Sequence, residues 1–279
     1  MADDTRVLMV APQPFYETRG MPISVFLRCQ AMARQGCTID LVTYPMGESK
    51  VPYKTNLHRI PNLLFLDHVP AGPSIRKFIL DLILFCYLFV FLWGTDEEYD
   101  CLQAHEEGAL LCAPLARIFG LPLVYDHHSN LGEITRDSSY APFARLMNGI
   151  ENWGLALSDI VVCVIPALLE SIQERVSHNE VYLIPDTAPE EIEDTSVDAS
   201  LSSSVQNWLD EDKLTLVYTG SLAGYQTMDS FLKGLADCRN RESLQFLLVG
   251  GTEDELAELR PLLDDLELGE TVKLTGRVP

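Results

Sequence analysis

The chain has 279 residues, of which 47% are hydrophobic, and it carries a formal net charge of −21. A chain of this length and hydrophobic content can bury one large or two ordinary cores, so we expect a globular protein. Its excess of carboxylates would repel a polyphosphate backbone, and we therefore expect no nucleic-acid partner.

The cysteine pattern bears on the compartment. The seven cysteines are scattered through apolar stretches, and no two of them form a C-x-x-C pair. Buried free thiols are the simplest interpretation of such an odd, scattered set. The first residues do not resemble a signal peptide and the chain contains no N-x-S/T acceptor. These features predict a cytoplasmic protein.

The first elements form one predicted strand-helix-strand unit. Val7–Ala11 is a short apolar run typical of a buried parallel strand, and a loop rich in Pro and Gly follows over residues 12–22. Apolar residues then recur at helical spacing up to Gly36, which is placed as a C-terminal cap. Strand 37–43 completes the unit.

A long apolar stretch comes next, Phe78–Trp93, with Asp81 as its single charge. Its length is below the ~20 residues that span a bilayer. Two interpretations stay open. The stretch is either a helix in peripheral contact with the membrane, with Arg76 and Lys77 near anionic headgroups, or a helix buried on the sheet.

The alternation of strands and helices then continues and predicts a parallel sheet covered on both faces. The predicted elements are strand Tyr99–Ala104, helix Gly108–Phe119, strand Leu123–Tyr125, helix Phe143–Leu157, strand Ile160–Val164, helix Pro166–Arg175 and strand Val181–Ile184. We assign residues 1–190 to this first Rossmann-like domain. Ligands of such sheets bind at the carboxyl ends of the strands.

A second series follows an acidic segment. No Lys or Arg lies between Val176 and Asp212, and residues 191–212 are predicted to be an acidic interdomain linker. Residues 213–279 form the second domain, with these predicted elements: strand Leu214–Tyr218, helix Thr227–Arg239, strand Leu244–Val249, helix Glu253–Leu266 and strand Thr271–Leu274. The fold class is thus α/β with two doubly wound parallel sheets, the second incomplete.

Two loops carry candidate chemistry. Gly20 directly precedes a helix, where a glycine lets backbone N–H groups approach a phosphate, although a plain turn explains it equally well. Asp126-His127-His128-Ser129 follows a strand, and its histidines are candidates for proton transfer or for hydrogen bonding to a hydroxyl. Metal binding is less favoured because no third ligand has a telling spacing, although Cys101, His105 and Glu106 stay open as ligands.

Taken in order, several segments resemble the family 4 glycosyltransferases of the GT-B fold. They are Val7–Val10 with the Gly20 loop, Tyr99–Asp100, His105–Gly108, Val124–Ser129, Glu151–Gly154, Ser158–Val162, Leu183–Asp186, Tyr218–Ser221 and Leu248–Gly251. The resemblance implies two Rossmann-like domains that face each other, the first binding an acceptor and the second a nucleotide-sugar donor. It also implies a retaining hexosyltransferase reaction that needs neither a metal nor another cofactor.

The resemblance also implies roles for single residues. His128 matches the family's histidine near the transferring sugar and is the predicted catalytic residue, while His105, Glu106 and His127 are the acceptor-side candidates. Ser221 and Gln226 fall where many members carry the Arg and Lys that neutralise the diphosphate. The full set of predicted donor-binding residues is Gly20, Gly220, Ser221, Gln226, Gly250 and, through its backbone at the base, Val278.

The expected substrates follow from the same resemblance and from the apolar stretch. We expect transfer to a glycan or a lipid-linked acceptor of polysaccharide biosynthesis, with peripheral membrane contact through Phe78–Trp93. The family's paired glutamates should lie downstream of Pro279, so we expect a C-terminally truncated chain, which a second polypeptide could complete. The alternative is a non-catalytic or half-enzyme subunit that binds acceptor or membrane and needs another chain for donor binding.

Overall fold

The computed structural model describes residues 5–17, 20–63, 65–66, 69, 74–136, 141–176, 180–186, 199–220, 222 and 227–278. The chain divides into two compact units, Met1–Ala188 and Pro189–Pro279. Each unit contains a parallel sheet with helices packed on it, which confirms the predicted α/β fold class.

The first unit is built on a sheet of seven strands among the described residues. The strands are β1 (Arg6–Ala11), β2 (Thr38–Thr43), β3 (Thr55–Arg59), β4 (Cys101–His105), β5 (Leu123–His127), β6 (Ile160–Cys163) and β7 (Glu180–Leu183). Their order in the sheet is β3-β2-β1-β4-β5-β6-β7, and each neighbouring pair is parallel. The chain therefore reverses its direction of travel across the sheet between β1 and β4.

The helices of the first unit cover both faces of this sheet. They are α1 (Gly20–Arg34), α2 (Ile75–Gly94), α3 (Gly108–Phe119), α4 (Leu131–Arg136), α5 (Ala144–Leu157) and α6 (Pro166–Arg175), with a 3-10 turn at Ala141–Phe143. Side chains of α1 share a core with Met9 and Leu41, whereas those of α2, α3, α5 and α6 share another with Leu8 and Val42. Because neighbouring strand residues point to opposite faces, the sheet is sandwiched between two helix layers.

Helix α2 combines features of both interpretations of the apolar stretch. Its inner side consists of leucines spaced four apart, Leu80, Leu84, Leu88 and Leu92, all buried in the core. Its outer side carries exposed apolar residues, among them Phe78 at 72%, Val90 at 69% and Trp93 at 74%. None of the helices in the described part of the chain has the length and hydrophobicity of a membrane-spanning segment.

The second unit contains a smaller parallel sheet. Its described strands are β8 (Leu214–Gly220), β9 (Leu244–Gly250) and β10 (Val272–Gly276), in the order β10-β9-β8. Its helices are α7 (Ala199–Trp208), α8 (Met228–Ala236) and α9 (Glu253–Asp265), with a 3-10 turn at Arg241–Ser243. Helix α7 falls inside residues 191–212, the range predicted to be the acidic linker.

Candidate active site

The predicted site residues of the first unit lie at one edge of its sheet. Helix α1 begins at Gly20 after β1, His105 ends β4, and His127 ends β5. Strands β1, β4 and β5 are neighbours, and β1 and β4 flank the point where the chain reverses direction. Such switch points leave a crevice at the carboxyl ends of the strands, because the connections diverge to opposite faces there.

His128 is held by a buried carboxylate. Its Nε2 lies 3.1 Å from Oδ1 of Asp126, whose side chain is fully buried. Arg28 of α1 approaches the same carboxylate, with Nε 3.2 Å from Oδ2. Burial alone would oppose ionisation, but His105, His128 and Arg28 outweigh it and hold the pKa of Asp126 well below its usual value. Asp126 is therefore a permanent negative charge beneath the imidazole ring.

The second nitrogen of His128 faces the more open side of the site. Nδ1 lies 3.6 Å from Oδ2 of Asp186, a side chain that is 47% exposed. Oδ1 of Asp186 accepts a 2.7 Å hydrogen bond from the hydroxyl of Ser24 on α1. Burial lowers the pKa of His128, but its contact with Asp126 and the charges of Glu106 and Asp186 raise it overall. The ring can thus donate a hydrogen bond from Nδ1 to a ligand hydroxyl.

Glu106 supports the loop that carries His128. One carboxylate oxygen, Oε1, accepts a 3.0 Å hydrogen bond from the backbone N–H of His128, and Oε2 accepts a 2.9 Å bond from the hydroxyl of Ser129. Burial raises the pKa of Glu106 to about 7. Each oxygen thus accepts a hydrogen bond from the protein, and the acceptor-side role of Glu106 stays a prediction.

His127 belongs to a separate buried network. Its ring is fully buried, and Nε2 lies 3.1 Å from Oε1 of Glu151. The other oxygen of Glu151 accepts a 2.6 Å hydrogen bond from Arg175 of α6. Successive strand residues point to opposite faces, so His127 and His128 diverge although they are adjacent in sequence. His127 thus takes part in a buried network, and its acceptor-side role stays a prediction.

His105 lies beneath the site and does not line its surface. The ring is 1% exposed, and its Nδ1 is 3.4 Å from Oδ2 of Asp126. Burial lowers its pKa to about 4, so the ring is neutral at neutral pH. His105, Asp126 and His128 offer possible metal-ligand atoms within 4.8 Å of one another. The guanidinium of Arg28 already places a positive charge at this carboxylate, which disfavours a divalent cation there.

In the second unit the described strand ends of β8 and β9 are glycines. Gly220 and Gly250 are register partners at the carboxyl ends of β8 and β9, and Val278 follows β10 at the same edge. A Cβ atom on Gly250 would lie 2.0 Å from the carbonyl oxygen of Gly220, and the φ of Gly250 is 120°. Only glycine fits this close approach of two strand ends. Ser221 and Gln226 lie outside the described residues.

Comparison with known proteins decides the family. The model of Glycosyltransferase Family 4 matches residues 18–187, which is more than half of the chain and includes all the side chains of the first-unit site. The chain belongs to glycosyltransferase family 4. Among curated proteins, no sequence match was found.

Solved structures show the fold of this glycosyltransferase. Sucrose-phosphate synthase from Thermosynechococcus elongatus aligns over 98% of this chain and 70% of its own, with 16% identity and a TM-score of 0.75. HepE of Anabaena, in complex with UDP-glucose, aligns over 98% of this chain and 69% of its own, with 16% identity and a TM-score of 0.62. The catalytic domain of starch synthase IV from Arabidopsis thaliana, bound to ADP and acarbose, aligns over 97% and 73%, with 13% identity and a TM-score of 0.66. The fold of the glycosyltransferase is thus GT-B.

Three side chains of the transferase site were not predicted from the sequence. Arg28 and Ser24 contact Asp126 and Asp186, which lie 98 and 162 residues away in the chain. One signal was available, because Gly20, Ser24 and Arg28 are spaced four apart and therefore lie on one side of α1. Ser24 and Arg28 are polar residues one turn apart, and such a pair can mark the side of a helix that faces a polar site. No comparable pattern marks Asp186.

Proposed function

We propose that this glycosyltransferase moves a sugar from a nucleotide-sugar donor to an acceptor hydroxyl with retention of the anomeric configuration. One observation carries the proposal: His128, backed by the ionised Asp126, directs Nδ1 toward the open side of a switch-point crevice. A hydroxyl of the transferring sugar is the ligand that fits this donor. The UDP-glucose complex of HepE supports the donor class, and retention is the outcome that the family resemblance implies.

The donor diphosphate is proposed to lie against backbone. Gly20 places the first turn of α1 at the first-unit site, and the N-terminus of a helix favours an anion. In the second unit Gly220 and Gly250 leave strand ends without side chains, and Val278 offers backbone to the base. Ser221 and Gln226 complete this proposed set. The reaction is proposed to be metal-independent, because Arg28 occupies the carboxylate of the ligand cluster in the described residues.

The acceptor is proposed to be a lipid-linked or envelope polysaccharide precursor, reached from the cytoplasmic side of a membrane. The supporting observation is the outer side of α2, where exposed apolar residues share an arc of about 120° around the helix axis. They are Ile75, Phe78, Ile79, Leu82, Phe89, Val90 and Trp93. A helix that is apolar on the side away from its core suits the interfacial region of a bilayer.

A steady-state assay with UDP-, ADP- and GDP-sugars tests the catalytic proposal. We expect His128→Ala to lower kcat more than tenfold, because the hydrogen bond to the sugar is lost. His58→Ala is a matched control, since His58 also pairs with a buried aspartate, Asp40, at 2.8 Å but lies on β3. Equal activity of wild type and His128→Ala would overturn the assignment of the site.

Calorimetric titration with the same donors separates an enzyme from a subunit. Micromolar binding to this chain alone supports the transferase. Absence of binding, with turnover appearing only after a second polypeptide is added, would instead support the half-enzyme alternative. The anomeric configuration of the product, read from its proton NMR coupling constant, tests retention directly.

A further inference from the structure

We propose that Glu106 is a positioning residue, whose carboxylate fixes the loop that carries His128. This inference rests on the proposed function, since it assumes that His128 contacts the sugar. It concerns the short segment 128–130, which joins β5 to α4. The sequence made Glu106 an acceptor-side candidate, and its contacts support a positioning task.

Three hydrogen bonds of Glu106 end on β5 and the loop that follows it, while its carbonyl accepts a 3.1 Å bond from the backbone N–H of Ala109 on α3. Its backbone N–H donates a 3.0 Å hydrogen bond to the carbonyl of Asp126. Its two carboxylate oxygens accept from the backbone N–H of His128 at 3.0 Å and from the hydroxyl of Ser129 at 2.9 Å. One residue therefore contacts three residues of β5 and its loop, Asp126, His128 and Ser129, and holds them in a fixed relation.

The backbone of Glu106 also points to a special role. Its φ is 49°, in the left-handed region where glycine is the least strained residue. A glutamate at such a position carries a conformational cost that its side-chain contacts offset. The left-handed turn between β4 and α3 directs the carboxylate sideways toward the end of β5, away from the axis of its own strand.

The neighbouring acid has a separate partner. Glu107 forms an ion pair with Lys77 of α2, and its carboxylate makes no hydrogen bond to the described residues of the loop. Glu107 and Glu106 are therefore adjacent carboxylates of equal size, of which Glu106 alone holds the loop through its side chain. This difference makes Glu107→Ala a matched control for removal of the Glu106 carboxylate.

The loop is fixed at its far end as well. The backbone N–H of Leu131, the first residue of α4, donates a 2.8 Å hydrogen bond to Oε1 of Glu151. With Glu106 at one end and Glu151 at the other, residues 128–130 have little freedom. Loss of the Glu106 contacts is therefore expected to free the end that bears His128 and to misplace its ring relative to the sugar.

Kinetics and hydrogen exchange on the full chain test this proposal together. We expect Glu106→Gly, which removes the carboxylate and relieves the left-handed strain, to lower kcat at least tenfold with donor KM changed less than threefold. Glu106→Gln should keep most of the rate, because its amide oxygen can accept from His128 while its NH2 group donates to Ser129. Glu107→Ala should stay within about twofold of wild type.

Backbone amide exchange of peptides that cover residues 127–136 gives a readout independent of turnover. Exchange at His128 should be at least tenfold faster in Glu106→Gly and near wild type in Glu106→Gln. Faster exchange with unchanged kcat would overturn the positioning role while leaving the proposed function intact. If Glu106→Gly does not fold, Ser129→Ala takes its place, because it removes only the hydrogen bond between Ser129 and Glu106. An unchanged rate in Ser129→Ala together with a tenfold loss of rate in Glu106→Gln would also overturn the positioning role. Full activity of His128→Ala would instead remove the proposed function on which this inference rests.

Discussion

The first unit presents charged side chains at the carboxyl ends of β4 and β5, whereas the second unit presents glycines at the carboxyl ends of β8 and β9. At the first edge Asp126 fixes the charge and orientation of His128. At the second edge, Gly250 lets the backbone of Gly220 approach more closely than a residue with a Cβ would allow. The first edge depends on side chains that are present and the second on side chains that are absent, so opposite kinds of substitution should damage them.

The largest expected effect is at Gly250. Gly250→Val would place a Cβ 2.0 Å from the carbonyl oxygen of Gly220 and would force a β-branched residue to a φ of 120°. We expect a loss of more than about 3 kcal/mol in the free energy of unfolding. Denaturant titration measures it. Gly234→Ala, in α8 with open space around the added Cβ, should instead stabilise by about 0.5–1 kcal/mol.

Removal of the charge at Asp126 comes next. Asp126→Asn keeps the shape but leaves Arg28 without its carboxylate partner, and we expect a destabilisation of about 3 kcal/mol. Turnover should also fall more than tenfold, since His128 loses its orienting charge. Asp40→Asn is the matched control, because Asp40 is equally buried and pairs with Arg6 and His58. A similar loss of kcat in both variants would show that catalysis follows stability alone.

Liposome flotation compares the exposed apolar surface of α2 with that of the second unit. The triple variant Phe78→Ser, Leu82→Ser and Trp93→Ser should release the protein from vesicles, because each substitution removes about 1.5–3 kcal/mol of buried apolar side chain in the bound state. The control triple replaces Leu214, Val217 and Phe231, exposed apolar residues of the second unit, by Ser. Equal flotation of the α2 variant and wild type would refute the membrane contact.

The smallest expected effect is the pH dependence of stability at Glu106. Burial raises the pKa of Glu106 in the folded protein to about 7 from an ordinary 4.5. Its contribution to the free energy of unfolding is therefore fully present below pH 4.5 and is lost as the pH rises through 7. Glu106→Gln does not titrate. The stability of wild type relative to this variant should therefore fall by about 1–2 kcal/mol between pH 4.5 and 6, as thermal unfolding can measure. The nearby charges of Glu107, His127 and His128 are common to both proteins.

The sequence was most informative where one local rule decided an element. Helix α3 ends as predicted because Gly120 adopts a left-handed cap with φ 69°, and α6 begins as predicted because Pro166 suits the first turn. Strand β3 was missed because it is polar. Its Asn56 and His58 contact the buried Asp40, and this edge pairing cannot be read from local hydrophobicity.

The candidate site divides in the same way. The position of His128 after a strand was visible in the chain, because strand ends converge at one edge. The roles of Ser24, Arg28 and Asp186 around it were not, since Arg28–Asp126 and Ser24–Asp186 join residues that the fold brings together. The burial of His127 also required coordinates, because a polar doublet gives no sign of which ring points inward.

The placement of Gly20, Ser24 and Arg28 on a single helix constrains how α1 can vary in length. Each residue advances an α-helix by about 100°, so one inserted residue between Gly20 and Arg28 would turn Arg28 a quarter of the way or more around the axis. Insertions ahead of Gly20 leave this helical phase intact. Length variation in this enzyme is thus expected to be tolerated before α1 and not within its first two turns.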